Sequence, residues 1–539
     1  MVWATGAALS LVLLLVAILL TVVVVNGMGV FWPARVAEIT LANGSHVLGE
    51  RVASQVNPDT GVTSLQFKTG NRDLDPQRQD FHWYDQAAIR RLDYPARVVV
   101  LERLQNGNLY GYLDRLTTPG VVLPAGGSLE ERFAQALAEV RRKSAEELDP
   151  VARQLYALSR QIADIRDATF RLDYRRKQLG ATSPDAARRA RGDARREQLE
   201  AESREVNRQS EQLVAEQRQR EAALRANVAV LTTAAGQTQR VPLLEVVRWY
   251  CPNAMGPAAK VGHYLAKIWE LLSANPRESN TEGGLFPAIF GTVMLVFLMA
   301  LTCFPLGVMA GVYLGEYARE GFLVRLVRIA VNNLAGIPSI VYGIFGLGFF
   351  VYGIGGLIDQ WLYPERAAVN MPTFGTGGIL WASLTLGLLT IPVVIVSTEE
   401  ALRVIPRGIR ESSLALGATK FQTLRRVLLP LASPGIMTGF ILAMSRAAGE
   451  VAPLMITGVV KLAPELPLDG QFPFFHPDRK FMHLGFHIFD IGFQSPNVEA
   501  SKPMVYVTTL LLLLIVVAMT GLAIYLRNRM RKRYQLRTM

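Results

Sequence analysis

Two charged residues stand out in an otherwise apolar stretch, Arg446 and Glu450 in SRAAGEVAPLMITG. Four positions apart on a helix, they share a face and can pair. An ionised pair in hydrocarbon is costly unless it faces a helix bundle or a wet cavity. Such a pair therefore marks the path or gate of a charged solute, with Arg446 supplying positive potential and Glu450 setting its position, or else a clamp between helices. A second group is His483 and His487, also four apart, with His476 upstream and Asp490 downstream. Imidazoles at this spacing can face one metal ion. An interfacial helix of Phe481, Met482, Leu484, Phe486, Ile488 and Phe489 with polar tips explains the same pattern and is preferred, with a metal at His483 and His487 as the alternative.

The third chemically dense stretch is residues 399–430, EEALRVIPRGIRESSLALGATKFQTLRRVLLP, which sits between two apolar segments. Arg403, Arg407, Arg410, Lys420, Arg425 and Arg426 make it basic. Gly417 can take positive φ and break the segment into two short helices. Thr419 and Gln422 form a capping box for the second, and Phe421, Leu424, Val427 and Leu428 give it an apolar face. The stretch reads as a docking loop rather than a span. No GxxxxGK[ST] phosphate loop occurs in the sequence, so this chain cannot bind ATP by that means and energy must come from a partner. No nucleophile or cofactor constellation points to an enzyme.

The elements that must position these residues are membrane spans. A chain of 539 residues that is 50% hydrophobic, with mean hydropathy +0.22, holds too much apolar surface for a soluble protein of this charge. The net charge of +12 lies largely in loops beside apolar runs, where the positive-inside rule explains it without nucleic acid. Cys251 and Cys303 fall in different environments, which argues against a disulfide, and neither spacing suggests metal.

Residues 4–25 are uncharged and long enough to cross a bilayer, and they read as a retained first span (1–27) rather than a cleaved signal. Residues 28–283 form one polar insertion. Its first part, 28–128, has short β-type runs such as VAEITLA, SLQFKTG, RVVVLERL and GYLDRL, which predict a β-rich module. In 129–235, Val151, Leu155, Leu158, Ile162, Ile165, Leu172 and Leu179 fall on a heptad seam. Gly180–Asp185 makes a turn, and Leu199, Val206, Leu213 and Leu224 line a returning helix, giving a long hairpin or coiled coil. An interfacial linker, 236–283, contains an amphipathic helix at 258–274 that can lie on membrane lipid. The core, 284–530, carries five spans at Leu285–Tyr313, Ile329–Tyr352, Ile379–Val396, Pro434–Val459 and Val505–Leu526, followed by a basic tail at 531–539. The positive-inside rule puts both termini and the 399–430 loop in the cytoplasm and residues 28–283 on the extracytoplasmic side.

Glu411-Ser412-Ser413, Gly417, Val427, Leu429 and Pro430 resemble the EAA loop of bacterial ABC import permeases, with serines for the usual alanines and Val for Ile. The phrases NTEGGLFPAIFGT, VNNLAGIPSIVYGIFGLGFF, SRAAGEVAPLMITG, FMHLGFHIFD and QSPNVEASKPMVY narrow the resemblance, over about residues 240–530, to the PstA-type permease of the phosphate-specific ABC importer. The resemblance implies an all-α polytopic membrane protein of the ABC importer type I permease fold. It has six transmembrane helices and an inserted β-rich plus helical-hairpin extracytoplasmic domain. It further implies a PstC-type permease, a PstB-type ATPase dimer holding ATP-Mg, and a periplasmic phosphate-binding protein as partners, with no cofactor on this chain. The EAA loop then becomes the ATPase-coupling helix, and Arg446 and Glu450 become part of the translocation path. Pro338, Ser339 and Tyr342 match the family's PSIVYG phrase and would line the path through a proline kink or serve close helix packing. In one departure, Ile395-Val396-Ser397-Thr398-Glu399 lacks the arginine that many relatives carry there. A permease for molybdate or sulfate is the nearest alternative. A non-transporting signalling or mechanotransmission protein would also use a large outer domain, but the loop and the compact core fit it poorly.

Overall fold

A computed structural model of the chain describes residues 2–56, 61–75, 79–121, 126–179, 186–277, 280–495 and 498–535. The predicted turn at Gly180–Asp185 and the tail beyond residue 535 lie outside them. Helix α1 (Val2–Gly29) is apolar all round and packs along the last helix of the chain. Seven strands follow: β1 (Val36–Leu41), β2 (His46–Val56), β3 (Thr63–Lys68), β4 (Phe81–Asp85), β5 (Ile89–Asp93), β6 (Val99–Arg103) and β7 (Asn108–Thr117). The chain then leaves in α2 (Leu129–Leu179) and returns in α3 (Ala186–Arg225). At ~1.5 Å per residue, the 51 residues of α2 reach ~76 Å. Ile165, Leu199 and Val206 are buried between the two helices, with Leu158, Ile162 and Leu172 against them, on the heptad positions.

The chain does not enter a linker after α3. It forms β8 (Val228–Thr232), β9 (Thr238–Pro242) and β10 (Val246–Tyr250), which join β6 and β7 in an antiparallel sheet of order β10-β6-β7-β8-β9. The other sheet runs β4-β3-β2-β1-β5. The boundaries drawn at 129–235 and 236–283 are therefore corrected: the hairpin ends at Arg225, and residues 228–250 complete the β module. Val228, Val230 and Leu231 of β8, Val241 of β9 and Val246 of β10 are strand-forming residues, a signal masked by the preceding helix-rich composition. Phe133, Ala136, Leu137 and Val140 of α2 cover this sheet against Leu101, Leu109 and Leu231.

Helix α4 (Pro257–Ser273) leads to the membrane core, which comprises α5 (Phe286–Val312), α6 (Phe322–Leu334), α7 (Ser339–Phe345), α8 (Gly356–Leu362), α9 (Pro364–Ala367), α10 (Ile379–Arg403), α11 (Arg407–Ala415), α12 (Lys420–Thr423), α13 (Leu429–Gly449), α14 (Ala452–Thr457), α15 (Leu484–Phe493) and α16 (Val498–Gln535). Among the described residues, six helical stretches are long and apolar enough to span a bilayer: Trp3–Gly29, Phe286–Tyr317, Ser339–Leu362, Ile379–Arg403, Lys420–Gly449 and Ser501–Lys532. Helices α5, α10 and α13 form the centre, with Leu295, Met299, Leu386, Leu389, Val394, Ala443 and Ala447 buried together.

Two spans differ from expectation. The third begins at Ser339 rather than Ile329, because Pro338 cannot continue a helix and α6 is a separate amphipathic element carrying Arg325 and Arg328. The fifth begins at Lys420 and ends at Gly449 rather than running from Pro434 to Val459. Glu450 turns to extended geometry, φ −78° and ψ 131°, and α14 is a separate short helix.

Candidate functional site

One end of the core is built around residues 404–430. Pro406 precedes α11, and Gly417 at φ +85° turns the chain where a side chain would be strained. The capping box forms in full: Gln422 N donates to Thr419 Oγ1 at 3.2 Å, and Thr419 N donates to Gln422 Oε1 at 2.9 Å. The Ser413 and Thr423 hydroxyls pair at 2.9 Å across the bend, so Ser413 ties the two helices together. Glu411 and Ser412 are exposed, while Val427, Leu429 and Pro430 are half-buried at the root of α13. Leu416 is 89% exposed and Phe421 61%, an apolar surface that nothing in the chain covers among the described residues.

Arg410 fixes this loop to the spans. Its guanidinium donates to both Glu316 oxygens, the shortest contact being 2.7 Å, and to the carbonyls of Leu402 at 2.6 Å and Ile405 at 2.5 Å. Beside it, Glu399 accepts from Arg403 at 3.0 Å and pairs with Arg328 of α6 at 3.0 Å. Sequence reasoning counted Arg410 only as part of a basic run. Its partner Glu316 lies 94 positions away, so no local spacing could have joined them.

The second cluster surrounds Arg446. Its Nε donates to Glu450 Oε1 at 3.3 Å, with both side chains partly exposed. The two do not share one helix face, since Glu450 lies past the end of α13 and reaches back. Tyr342 is buried, donates its hydroxyl to the Leu334 carbonyl at 2.7 Å, and lies in electrostatic range of Arg446. A Cβ on Gly343 would stand 2.8 Å from Pro453 Cα, so α7 and α14 meet backbone to backbone. The structure thus brings the PSIVYG phrase and the Arg446–Glu450 pair into one neighbourhood. Pro338 is exposed just before α7 and Ser339 is half-buried at its start.

His483 and His487 sit at and just inside the start of α15. Among the described residues, no group of three or more His, Cys, Asp or Glu side chains could hold an ion. Instead His483 Nδ1 caps α15 by accepting from Gly485 N at 3.1 Å, and His487 Nδ1 lies 3.4 Å from Thr508 Oγ1. Asp490 pairs with Lys461 at 3.1 Å. Burial pushes both imidazoles down to about 4, so they are neutral packing groups at pH 7.

At the opposite end, the hairpin rests on the core. Tyr156 donates to Glu465 at 2.8 Å, Arg171 pairs with Glu365 at 3.2 Å, and Arg366 pairs with Asp167 while donating to Thr373 at 2.9 Å. Asp359 holds the loop that receives it, accepting from Phe374 N at 2.8 Å and Gly375 N at 2.6 Å. The loops after the third and fifth spans therefore share one end of the core with the inserted domain, and the 404–430 loop lies at the other.

The spans form one bundle from which the amphipathic 404–430 loop projects. Residues 304–532 match the family described as binding-protein-dependent transport system inner membrane component. Over 225 residues the chain is 33% identical to the probable ABC transporter permease protein YqgI of Bacillus subtilis, covering 40% of this chain and 70% of that one. YqgH of the same organism, also a probable ABC transporter permease protein, is 34% identical over 200 residues, 37% of this chain and 60% of its own. The phosphate transport system permease protein PstA of Mycobacterium leprae is 36% identical over 174 residues, 32% and 51% respectively. The chain thus spans about half to 70% of the length of these relatives. A solved inward-facing structure of the MetNI methionine ABC transporter aligns with 49% of this chain and 98% of its own at 20% identity and a TM-score of 0.34. The chain belongs to the ABC transporter permeases. It is accordingly a multi-pass protein of the inner membrane.

Proposed function

We propose that this chain is the transmembrane permease subunit of an ATP-driven phosphate import complex. The observation that carries the reading is that the family match at 304–532 contains both the 404–430 loop and the Arg446–Glu450 pair, and that relatives named as PstA phosphate permeases are 32–36% identical. In this reading α11 is the coupling helix of an EAA loop. Glu411, Ser412, Ser413 and Gly417 meet a PstB-type ATPase dimer, which holds ATP-Mg, and the bare Leu416 and Phe421 side chains enter its groove. Val427, Leu429 and Pro430 pass its motion into α13.

Phosphate, delivered by a periplasmic phosphate-binding protein, enters between this chain and a PstC-type permease. Arg446 gives the path its positive potential, Glu450 aims the guanidinium, and Pro338, Ser339 and Tyr342 form the neighbouring wall. The basic residues at the end of α16, Arg527, Arg529, Arg531 and Lys532, support a cytoplasmic C-terminus. The inserted domain is then periplasmic. It docks on the two loops assigned to that side, which supports the same orientation.

The experiment is uptake by Arg446→Gln in the assembled complex. Loss of transport with normal assembly is expected, and normal transport by that variant would remove Arg446 from the path.

A further inference from the structure

A cavity of about 500 Å³ opens where four parts of the chain converge: the end of α1, the sheet containing β2 and β3, helix α4, and the start of α16. Its walls are tied together. Lys260 of α4 donates to the Pro33 carbonyl at 3.3 Å, Trp32 packs on Tyr264 with ring centres 6.1 Å apart, and Val30 and Phe31 lie against the cluster containing Leu271 and Met504. The cavity is therefore built into the junction between the inserted domain and the membrane core.

One side of it is charged and largely paired. Arg72 pairs with Asp80, Lys267 with Glu102 at 2.5 Å, and Arg277 with Glu270 at 2.6 Å. Three ionisable groups on the same wall are not paired in this way. Glu50, Glu282 and Lys68 line the cavity, and Lys68 acts on both carboxyls, yet no ion pair within 4 Å joins the three among the described residues. Buried polar atoms are also left without hydrogen-bond partners there: Asp80 Oδ1, on a side chain only 4% exposed, and Arg277 Nε. Orphaned donors and acceptors in one buried place call for a ligand or water carrying both signs. Lys267 and Arg277 also act on Glu282, but they are already paired with Glu102 and Glu270, so the two carboxyls keep acceptor capacity for a further cation, and Arg277 Nε together with Lys68 offers donors to an anion.

The opposite side is apolar and aromatic. Val30, Phe31, Trp32, Met504 and Tyr506 sit at the adjoining ends of the first and last spans. Helix α4 exposes Val261, Leu265 and Trp269 beside them, the pattern of a helix lying at a bilayer surface. A site that is zwitterionic on one wall, apolar on the other and level with the ends of two spans fits an amphiphile. We propose that the cavity holds the headgroup of an aminophospholipid, with its primary ammonium between Glu50 and Glu282, its phosphodiester against Lys68 and Arg277, and its acyl chains leaving between α1 and α16. The lipid cements the inserted domain to the spans.

The test is native mass spectrometry of the assembled complex, purified in detergent and offered equimolar phosphatidylethanolamine, phosphatidylcholine and phosphatidylglycerol. Preferential retention of phosphatidylethanolamine is expected, because a trimethylated ammonium cannot donate to the carboxyls and phosphatidylglycerol has no cation. Glu50→Gln/Glu282→Gln should lower that retention about tenfold, the size of a lost charge-assisted hydrogen bond. Equal retention of the three lipids by the wild-type complex would overturn the proposal whether or not the variant folds. Addition of millimolar glycerophosphoethanolamine separates the sources of the headgroup. Continued retention of the lipid supports the proposal, whereas occupancy by the soluble diester with no lipid retained overturns it.

Discussion

Replacing Arg410 by alanine should uncouple the 404–430 loop from the spans. The guanidinium makes its contacts to Glu316, Leu402 and Ile405 from a side chain that is 21% exposed, opposite a carboxylate that is 15% exposed. A hydrogen bond to a charged group contributes ~1.5–3 kcal/mol. Breaking a fully buried ion pair costs roughly 3–5 kcal/mol, which is an upper bound for a pair that water can partly reach. A loss of ~2 kcal/mol is therefore expected, about thirtyfold in the docked population of α11. In the reconstituted complex, Arg410→Ala should hydrolyse ATP while moving fewer phosphates per ATP, and hydrogen exchange in residues 404–417 should accelerate. Arg410→Lys should rescue only in part, since an ammonium cannot make the planar fork to Glu316. A cycle with Glu316→Gln isolates the pair. Coupling below ~0.5 kcal/mol, the level of independent sites, together with unchanged phosphate per ATP, would refute the reasoning.

Four further outcomes are expected. His483 and His487 have native pKa values of about 4 against an ordinary value near 6.5, so the unfolded chain binds protons that the native imidazoles refuse. Stability should fall as the pH drops from about 6.5 toward 4 and be flat with respect to these groups above that window; a His483→Gln/His487→Gln variant whose melting temperature keeps the full slope would contradict this. Arg220 donates to the Glu147 carbonyl at 2.9 Å, so the hairpin helices are adjacent there, and replacing residues 148–219 with a short Gly-Ser turn should leave the β module and spans folded. The same truncation removes Tyr156, Asp167 and Arg171, and hydrogen exchange in residues 363–375 should rise; an unchanged exchange pattern would mean that the hairpin does not brace that loop. Asp167→Ala alone should loosen the contact with Arg366 by about 1 kcal/mol or less, as partly exposed pairs do, measurable as a smaller rise in the same peptides.

The apolar runs and the heptad positions of α2 were legible because each is a local repeat that has only one way to bury its face. Gly417 and the Thr419–Gln422 box were legible for the same reason, since capping involves residues three apart. The break at Glu450 was not, because VAPLMITG is as apolar as a span and only packing of α14 against α7 shows where the helix stops. Pro338 did carry the signal that α6 and α7 are separate, but the apolar residues around it outweighed the proline. Long-range partners such as Arg410 with Glu316 and Arg366 with Asp167 leave no mark in spacing, and the spacing of His483 and His487 does not reveal that His483 Nδ1 caps α15.

The most direct test of the account is uptake of labelled phosphate at micromolar concentration, with and without excess sulfate or molybdate, in cells lacking this chain and every redundant phosphate importer, before and after complementation. Uptake that is lost, restored by the wild-type chain and resistant to both competitors is the predicted result. Uptake unchanged by loss of the chain, or restored uptake abolished by sulfate or molybdate, would contradict a phosphate permease.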